Sequence, residues 1–186
     1  MTRPFRIEGH AIASEDGRIA DSTGLMPNSL KFQSDQRLYE QALDGATIIV
    51  NGKLSYEGQA NSPSRRRLVL TRRVAGLAPD PVNPSARLWN PAGASLEEAC
   101  AALGVEGGLI AVIGGPVVFS LFLGFGYDAF HLSHAPGVRL LGGVPVFLEQ
   151  NTERSPEDVL AGAGLRAGPV QRFDDGVTMV VWTRSA

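Results

Sequence analysis

The sequence predicts an α/β fold with a central mixed, mostly parallel sheet and helices on both of its faces. Strand-like and helix-like stretches alternate along most of the 186 residues, which is typical of parallel strands joined by crossover helices. The last two strand-like stretches, 165–173 and 177–183, flank the turn Asp174-Asp175-Gly176, and this arrangement predicts a closing antiparallel hairpin. We expect one domain over residues 1–186, because this length suits a single hydrophobic core.

The overall composition argues against several classes of protein. Lys and Arg total 17 against 19 Asp and Glu, and the net charge of −2 gives no general attraction to nucleic acid or to membranes. The apolar runs are far shorter than the roughly 18 residues of a membrane helix, and the first residues lack the apolar core of a signal peptide. We therefore expect a cytoplasmic protein that binds neither nucleic acid nor membranes. Cys100 is the single cysteine, and its helical context predicts a small buried side chain.

The remaining strands are predicted from short apolar runs that end at Gly or at polar residues. They cover residues 7–13, 46–50, 67–70, 87–89, 109–113, 129–133 and 145–148. Loops are predicted where Gly, Pro or polar residues cluster. These loops cover residues 19–30, 60–67, 75–84 and 150–156.

Three helices are predicted from their start signals and their apolar periodicity. The first follows Ser34, a candidate N-cap, and carries apolar side chains on one face as far as Leu43. The second follows Ser95 and runs to about Leu103. The third starts at Pro116, where a first-turn proline loses no helical hydrogen bond by lacking its N–H.

A Gly pair between a predicted strand and a predicted helix is the sharpest local feature. The strand ends at Ile113, and Gly114 and Gly115 lead into Pro116. Glycine lets the backbone approach a ligand closely, and a helix N-terminus attracts a phosphate through its free N–H groups and its dipole. The segment predicts either a phosphate-binding turn or a tight connection without a ligand. Its spacing differs from the GxGxxG fingerprint of dinucleotide-binding folds.

Basic and hydroxyl residues follow two strands that we expect to be neighbours. Lys53 and Ser55 come after one strand, and Thr71 and Arg72 come after the next. Parallel neighbours would place these four side chains close together, and two cations with two hydroxyls suit a phosphate monoester. The alternative is that they are ordinary polar residues at strand ends.

The other titratable residues give weaker signals. Asp35 falls in the first turn of the first helix, where it would either complement the helix dipole or face a substrate and assist its protonation. His131 and His134 lie three apart on a predicted strand and so point to opposite faces. With His10 isolated in the sequence, no metal site is predicted. The three arginines at 65–67 are predicted to form a solvated loop.

Taken together and in this order, the motifs resemble the dihydrofolate reductase family over roughly residues 5–148. The resemblance rests on a first strand, a Met26-Pro27 loop, an acidic helix start, Ile-Val-Asn-Gly-Lys-x-Ser, Leu-Thr-Arg-Arg and Val-Ile-Gly-Gly. It implies a three-layer fold of the dihydrofolate reductase type. It also implies NADPH as the cofactor and hydride transfer to a C=N or C=O group of a small heterocyclic or carbonyl substrate.

The resemblance further implies which residues hold the ligands. Those matched to the cofactor site are Ala13, Ile19, Gly52, Lys53, Ser55, Thr71, Arg72, Arg73, Ile113, Gly114, Gly115, Pro116, Val117 and Val118. Those matched to the substrate site are Met26, Asp35, Tyr39 and Phe119. Asp35 is implied to be the catalytic acid, and the Gly114–Gly115 peptide is implied to be cis. The match of Thr71 and Arg72 to a 2′-phosphate contact implies a preference for NADPH over NADH.

A sister branch of the family is also similar. Residues 13–20, Ala-Ser-Glu-Asp-Gly-Arg-Ile-Ala, resemble the start of the reductase half of bacterial riboflavin-biosynthesis deaminase-reductases. Ile113 stands where that branch usually has Glu, and Asn28 stands where folate enzymes have Trp. The substrate is thus open between a pterin and a phosphorylated ribityl-aminopyrimidine, and the riboflavin branch implies a homodimer. The alternative function is a non-catalytic NADP(H)-binding or sensor protein on the same fold.

Overall fold

The computed structural model describes residues 4–53, 55 and 61–184. Leu54 of the predicted phosphate-binding segment, Ala60 of a predicted loop and residues 1–3 lie outside that range. The strands are β1 (Phe5–Ala13), β2 (Arg18–Ala20), β3 (Ile48–Gly52), β4 (Arg67–Leu70), β5 (Leu77–Pro79), β6 (Ala86–Trp89), β7 (Gly108–Val112), β8 (Ala129–His134), β9 (Val144–Pro145), β10 (Leu165–Arg172) and β11 (Thr178–Arg184). The helices are α1 (Gln33–Gly45), α2 (Leu96–Ala101), α3 (Pro116–Phe125) and α4 (Pro156–Gly162).

A nine-stranded sheet in the order β10-β11-β8-β1-β7-β3-β4-β6-β5 forms the centre of the structure. The strands from β8 through β6 run parallel to one another. Antiparallel pairs close both ends, with β10 and β11 beyond β8 and β5 beyond β6. The mixed, mostly parallel sheet and the closing hairpin confirm the sequence prediction. The short strands β2 and β9 form a separate antiparallel pair.

Helices cover both faces of the sheet, which explains why the central strands are apolar on both sides. On β3, Ile48 and Val50 join the large core with α2, α3 and α4, whereas Ile49 joins a smaller cluster with Leu43 of α1. Cys100 is fully buried in the large core, as predicted. No helix among the described residues is long and apolar enough to cross a membrane.

All four predicted loops contain regular structure, and segment 60–67 holds a 3-10 helix at Ser62–Ser64. Segment 75–84 includes β5, an edge strand, where a proline such as Pro79 is tolerated because an edge residue can lack a ladder N–H. Segment 19–30 contains most of β2 and a 3-10 helix at Asn28–Leu30. The loop predicted to end at residue 156 leads directly into α4. Ser155 starts that helix through a capping box with Asp158, a signal that the sequence analysis missed.

The start of α1 differs from the prediction, because Ser34 is not its N-cap. The helix begins at Gln33, and Phe32 occupies the N-cap position without a side-chain hydrogen bond. Ser34 donates from its backbone N–H and its hydroxyl to the carboxylate of Asp175, at 3.0 and 2.7 Å. The turn between β10 and β11 thus supplies the acceptor that a local cap would have supplied.

The prediction of a solvated loop for the arginine run was wrong at two of its positions. Arg67 is buried at the start of β4 and donates to Asn51 at 2.9 Å and to Ser62 at 3.2 Å. The side chain of Arg65 is mostly buried and forms an ion pair with Asp44. Arg67 therefore links the start of β4 to β3 and to the 3-10 turn before it, and Arg65 links the segment before β4 to α1.

Candidate active site

A cleft of about 1550 Å³ opens at the carboxyl ends of the parallel strands. Its walls come from β1, α1, α3 and the segments that follow β3, β4 and β7. Because α1 and α3 lie on opposite faces of the sheet, the chain diverges here and leaves a crevice, as open α/β sheets generally do. Such a crevice is large enough for an extended ligand such as a dinucleotide.

The Gly pair forms a tight turn at the centre of this cleft. The Gly114–Gly115 peptide is cis, as predicted, and Gly114 has φ +99°. The N–H of Gly52 donates to the Gly114 carbonyl at 2.7 Å, which ties the end of β3 to the turn. A Cβ on Gly114 would lie 2.7 Å from the Phe119 ring, whereas a Cβ on Gly115 would meet nothing nearer than the Ser55 hydroxyl at 3.7 Å. Gly115 therefore faces open space in the cleft, directly before α3.

The predicted basic residues lie together on the rim beside this turn. Strands β3 and β4 are parallel neighbours with Gly52 opposite Leu70, so the segments after them emerge side by side. Lys53, Ser55, Thr71 and Arg72 all line the cleft, and the side chains of Lys53 and Arg72 are exposed.

Most of the other residues matched by the resemblance also line the cleft. These are Ile19, Met26, Asp35, Tyr39, Gly52, Ile113, Gly115, Pro116, Val117, Val118 and Phe119. Three matched residues do not line it. Ala13 is fully buried in the large core, Gly114 is buried against Phe119, and Arg73 is exposed to solvent next to Arg72.

Asp35 lies in the first turn of α1 and faces the sheet. Its carboxyl group shares a hydrogen bond with Ser133, a buried residue of β8. Burial raises the pKa of Asp35, the negative charge of Asp175 raises it further, and the Ser133 hydrogen bond opposes both. A carboxyl group with a raised pKa in a cleft is a candidate proton donor.

No protein-family model and no curated protein sequence matches this chain, but solved structures match it closely in fold. A protein assigned to riboflavin biosynthesis from Shewanella sp. PV-4 has a TM-score of 0.69 and 20% identity, covering 97% of this chain and 99% of its own. Dihydrofolate reductase from Enterococcus faecalis, complexed with NADP(H), has a TM-score of 0.62 and 16% identity, covering 97% of both chains. The chain has the dihydrofolate reductase-like fold.

A third structure of this fold is a bifunctional enzyme. The diaminohydroxyphosphoribosylaminopyrimidine deaminase/5-amino-6-(5-phosphoribosylamino)uracil reductase of Thermotoga maritima has a TM-score of 0.63 and 18% identity. The match covers 98% of this chain and 57% of the Thermotoga chain. At these identities the comparisons establish the fold.

The dihydrofolate reductase-like fold also brings together residues that the sequence analysis did not connect. Ser133 reaches Asp35 because alternate residues of β8 face α1. His10 is not isolated, since its ring stacks on that of His131 with centroids 4.5 Å apart. Glu8 lies beside both histidines, and all three line the cleft. Because side chains alternate along a strand, Glu8 and His10 lie on one face of β1, and His131 and Ser133 lie on one face of β8. Only the pairing of β1 with β8 shows that these four residues lie on the same face of the sheet.

Proposed function

We propose that this protein is an NADPH-dependent reductase that transfers a hydride to a C=N or C=O group of a small heterocyclic or carbonyl substrate. The proposal rests on one observation, which is that a single cleft has two parts suited to two ligands. One half holds the Gly turn and its basic rim, and the other holds Asp35 with its raised pKa.

The first half suits a phosphorylated dinucleotide. Gly115 leaves room for a pyrophosphate to approach the backbone at the start of α3, where the helix dipole favours an anion. Lys53 and Arg72 supply positive charge on the rim, and Ser55 and Thr71 supply hydroxyl donors. This combination fits the additional phosphate of NADPH, since charge-assisted hydrogen bonds are the stronger class. NADP(H) is also the cofactor complexed with the Enterococcus dihydrofolate reductase.

The second half suits a small ring that needs a proton when it receives a hydride. Asp35 and Ser133 provide the titratable group and its hydrogen-bonding partner, while Met26 and Tyr39 contribute apolar surface. The cofactor would supply the hydride, and the protein would position the two rings and deliver the proton. Pterins and phosphorylated ribityl-aminopyrimidines are the substrate classes to screen first, and the latter agrees with the uracil reductase named for the Thermotoga enzyme.

The test is a titration of the purified protein with NADPH and NADH, followed by fluorescence or calorimetry. We expect tighter binding of NADPH, and we expect Lys53→Ala and Arg72→Ala to weaken NADPH binding by about tenfold each, because exposed charged contacts contribute less than buried ones. The NADH affinity should change little. Arg166→Ala is the matched control, since Arg166 is an exposed cation of β10 at the far edge of the sheet.

Equal losses of affinity for NADPH and NADH would contradict the assignment of Lys53 and Arg72 to the 2′-phosphate. Failure of the wild type to bind either cofactor would overturn the proposed function. Tight NADPH binding without oxidation by any pteridine, aminopyrimidine or carbonyl compound would instead favour the non-catalytic sensor.

A further inference from the structure

Glu8, His10 and His131 form a compact cluster on the face of the sheet that carries α1. Strands β1 and β8 are parallel neighbours with His10 opposite His131, and Glu8 lies two residues before His10 and so on the same face. Nε2 of His131 lies 3.2 Å from Oε2 of Glu8, and Nε2 of His10 lies 4.0 Å from the same oxygen. One ligand atom from each residue lies within 4.8 Å of the other two.

The buried ring of His10 has an unsatisfied nitrogen that faces this cluster. Nε2 of His10 has no hydrogen-bond partner among the described residues, and the side chain is only 9% exposed. A buried polar nitrogen without a partner carries a free-energy cost, which a bound metal ion would remove.

Glu8 supplies the negative charge of the cluster. Contacts with His131 and Arg6 favour the ionised carboxylate. Arg6 contacts Oε1 of Glu8, which leaves Oε2 directed towards the two histidines. The Arg6 side chain is 63% exposed, so solvent and salt screen its positive charge.

We propose that Glu8, His10 and His131 bind a divalent transition-metal ion of the zinc class. Two imidazoles and one carboxylate are a ligand set that zinc accepts, leaving a further position for water or for an oxygen atom of a ligand. Tetrahedral zinc holds its ligand atoms about 3.3 Å apart, a separation that the Glu8–His131 pair already has. For His10 the distance to Oε2 is 4.0 Å, so its unpartnered nitrogen would have to move closer to the carboxylate to become a ligand.

The site goes beyond the proposed reductase function and does not depend on it. All three residues line the cleft, so the open coordination position is accessible from the side where a substrate would enter. His134 gives a matched control, because it is on the same strand but on the opposite face, where it contacts Glu157 at 2.8 Å.

The test is a zinc titration of chelator-treated full-length protein in competition with a chromophoric chelator, combined with elemental analysis. We expect one zinc ion per chain with micromolar or tighter affinity. Glu8→Gln and His131→Asn should each weaken zinc binding at least tenfold, and His134→Asn should leave it unchanged. Circular dichroism and thermal melts establish that each variant is folded.

A second measurement needs no variant. The chain has three histidines, so a long-range ¹H–¹⁵N spectrum of the imidazoles can follow each ring during the zinc titration. Zinc should shift ring nitrogens of His10 and His131 and leave those of His134 in place. Absence of stoichiometric zinc, a shift confined to His134, or full binding by folded Glu8→Gln and His131→Asn would overturn the metal site. NADPH binding by the zinc-free protein tests the reductase proposal separately.

Discussion

Asp35 has an environment that favours the protonated form of its carboxyl group. Its position in the first turn of α1 could be predicted from the sequence, but two influences on its pKa could not. Ser133 donates from β8 and Asp175 adds a negative charge from the β10–β11 turn. Both residues are about a hundred or more positions away along the chain, and no local pattern shows that they meet Asp35.

Asp35→Asn should separate the chemical role of this residue from its structural role. Asparagine keeps the size and a hydrogen bond to Ser133 but cannot donate an acidic proton, so we expect turnover to fall by about 100-fold or more. NADPH binding should be unchanged, and the helix should remain intact because Asp175 holds Ser34 at its start. Steady-state kinetics with a substrate from the screen, alongside a cofactor titration, measure both effects. Unchanged turnover would restrict Asp35 to a structural role.

The raised pKa of Asp35 also predicts how the stability of the protein changes with pH. The folded protein holds this proton to a higher pH than the unfolded chain does. The wild type should therefore lose stability relative to Asp35→Asn as the pH rises from the ordinary Asp range through the folded pKa. Above the folded pKa, the difference in the free energy of unfolding between the two proteins should stay constant. Denaturant unfolding of both proteins across this range measures the difference.

The hydrogen bond from Ser133 lowers the pKa of Asp35. In Ser133→Ala, the ¹³C titration of the Asp35 carboxyl group should therefore move to higher pH.

At the scale of elements, the sequence predicted well where local signals decide the structure. Ser95 starts α2 with a capping box, and Pro116 stands at the start of α3, both as expected. It failed where the partner is distant, as for Ser34, whose acceptor Asp175 lies 141 residues away. It also missed β5, because the prolines of this segment suggest a loop when the edge position of the strand is unknown.

The turn between β7 and α3 gives a paired prediction, because its two glycines have different neighbours. Gly115→Ala should leave stability nearly unchanged, since its Cβ meets only ordinary contacts, but should weaken NADPH binding about tenfold by placing a methyl group where the pyrophosphate approaches. Gly114→Ala should lower the free energy of unfolding by about 1–3 kcal/mol, because φ is +99° and the Cβ meets the Phe119 ring. Thermal melts and NADPH titrations compare the two variants. Normal NADPH affinity in Gly115→Ala would place the pyrophosphate elsewhere.

At the scale of the whole molecule, strand order decides which distant residues meet. The alternation of elements predicted a mostly parallel sheet but not the placement of β1 between β8 and β7. That placement sets His10 against His131 and brings Glu8 to a residue 123 positions away. The basic rim could be predicted from the sequence because β3 and β4 follow each other along the chain and pair directly. The histidine cluster could not be predicted, because β1 and β8 are separated by most of the chain. The homodimer also stays a prediction, and light scattering of the purified protein would test it by measuring the molar mass in solution.

The continuity of this sheet leads to a prediction for unfolding. The cleft takes its walls from β1 and α1 near one end of the chain and from α3, β8 and β11 towards the other, and we propose that the chain folds as one domain. Calorimetry should show one cooperative transition with equal calorimetric and van't Hoff enthalpies. NADPH at about 100 times its Kd should add about 2.7 kcal/mol, and the whole transition should move up by about 5–10 °C for a chain of this size. Two transitions, of which NADPH moves only one, would show that part of the chain unfolds independently of the cleft.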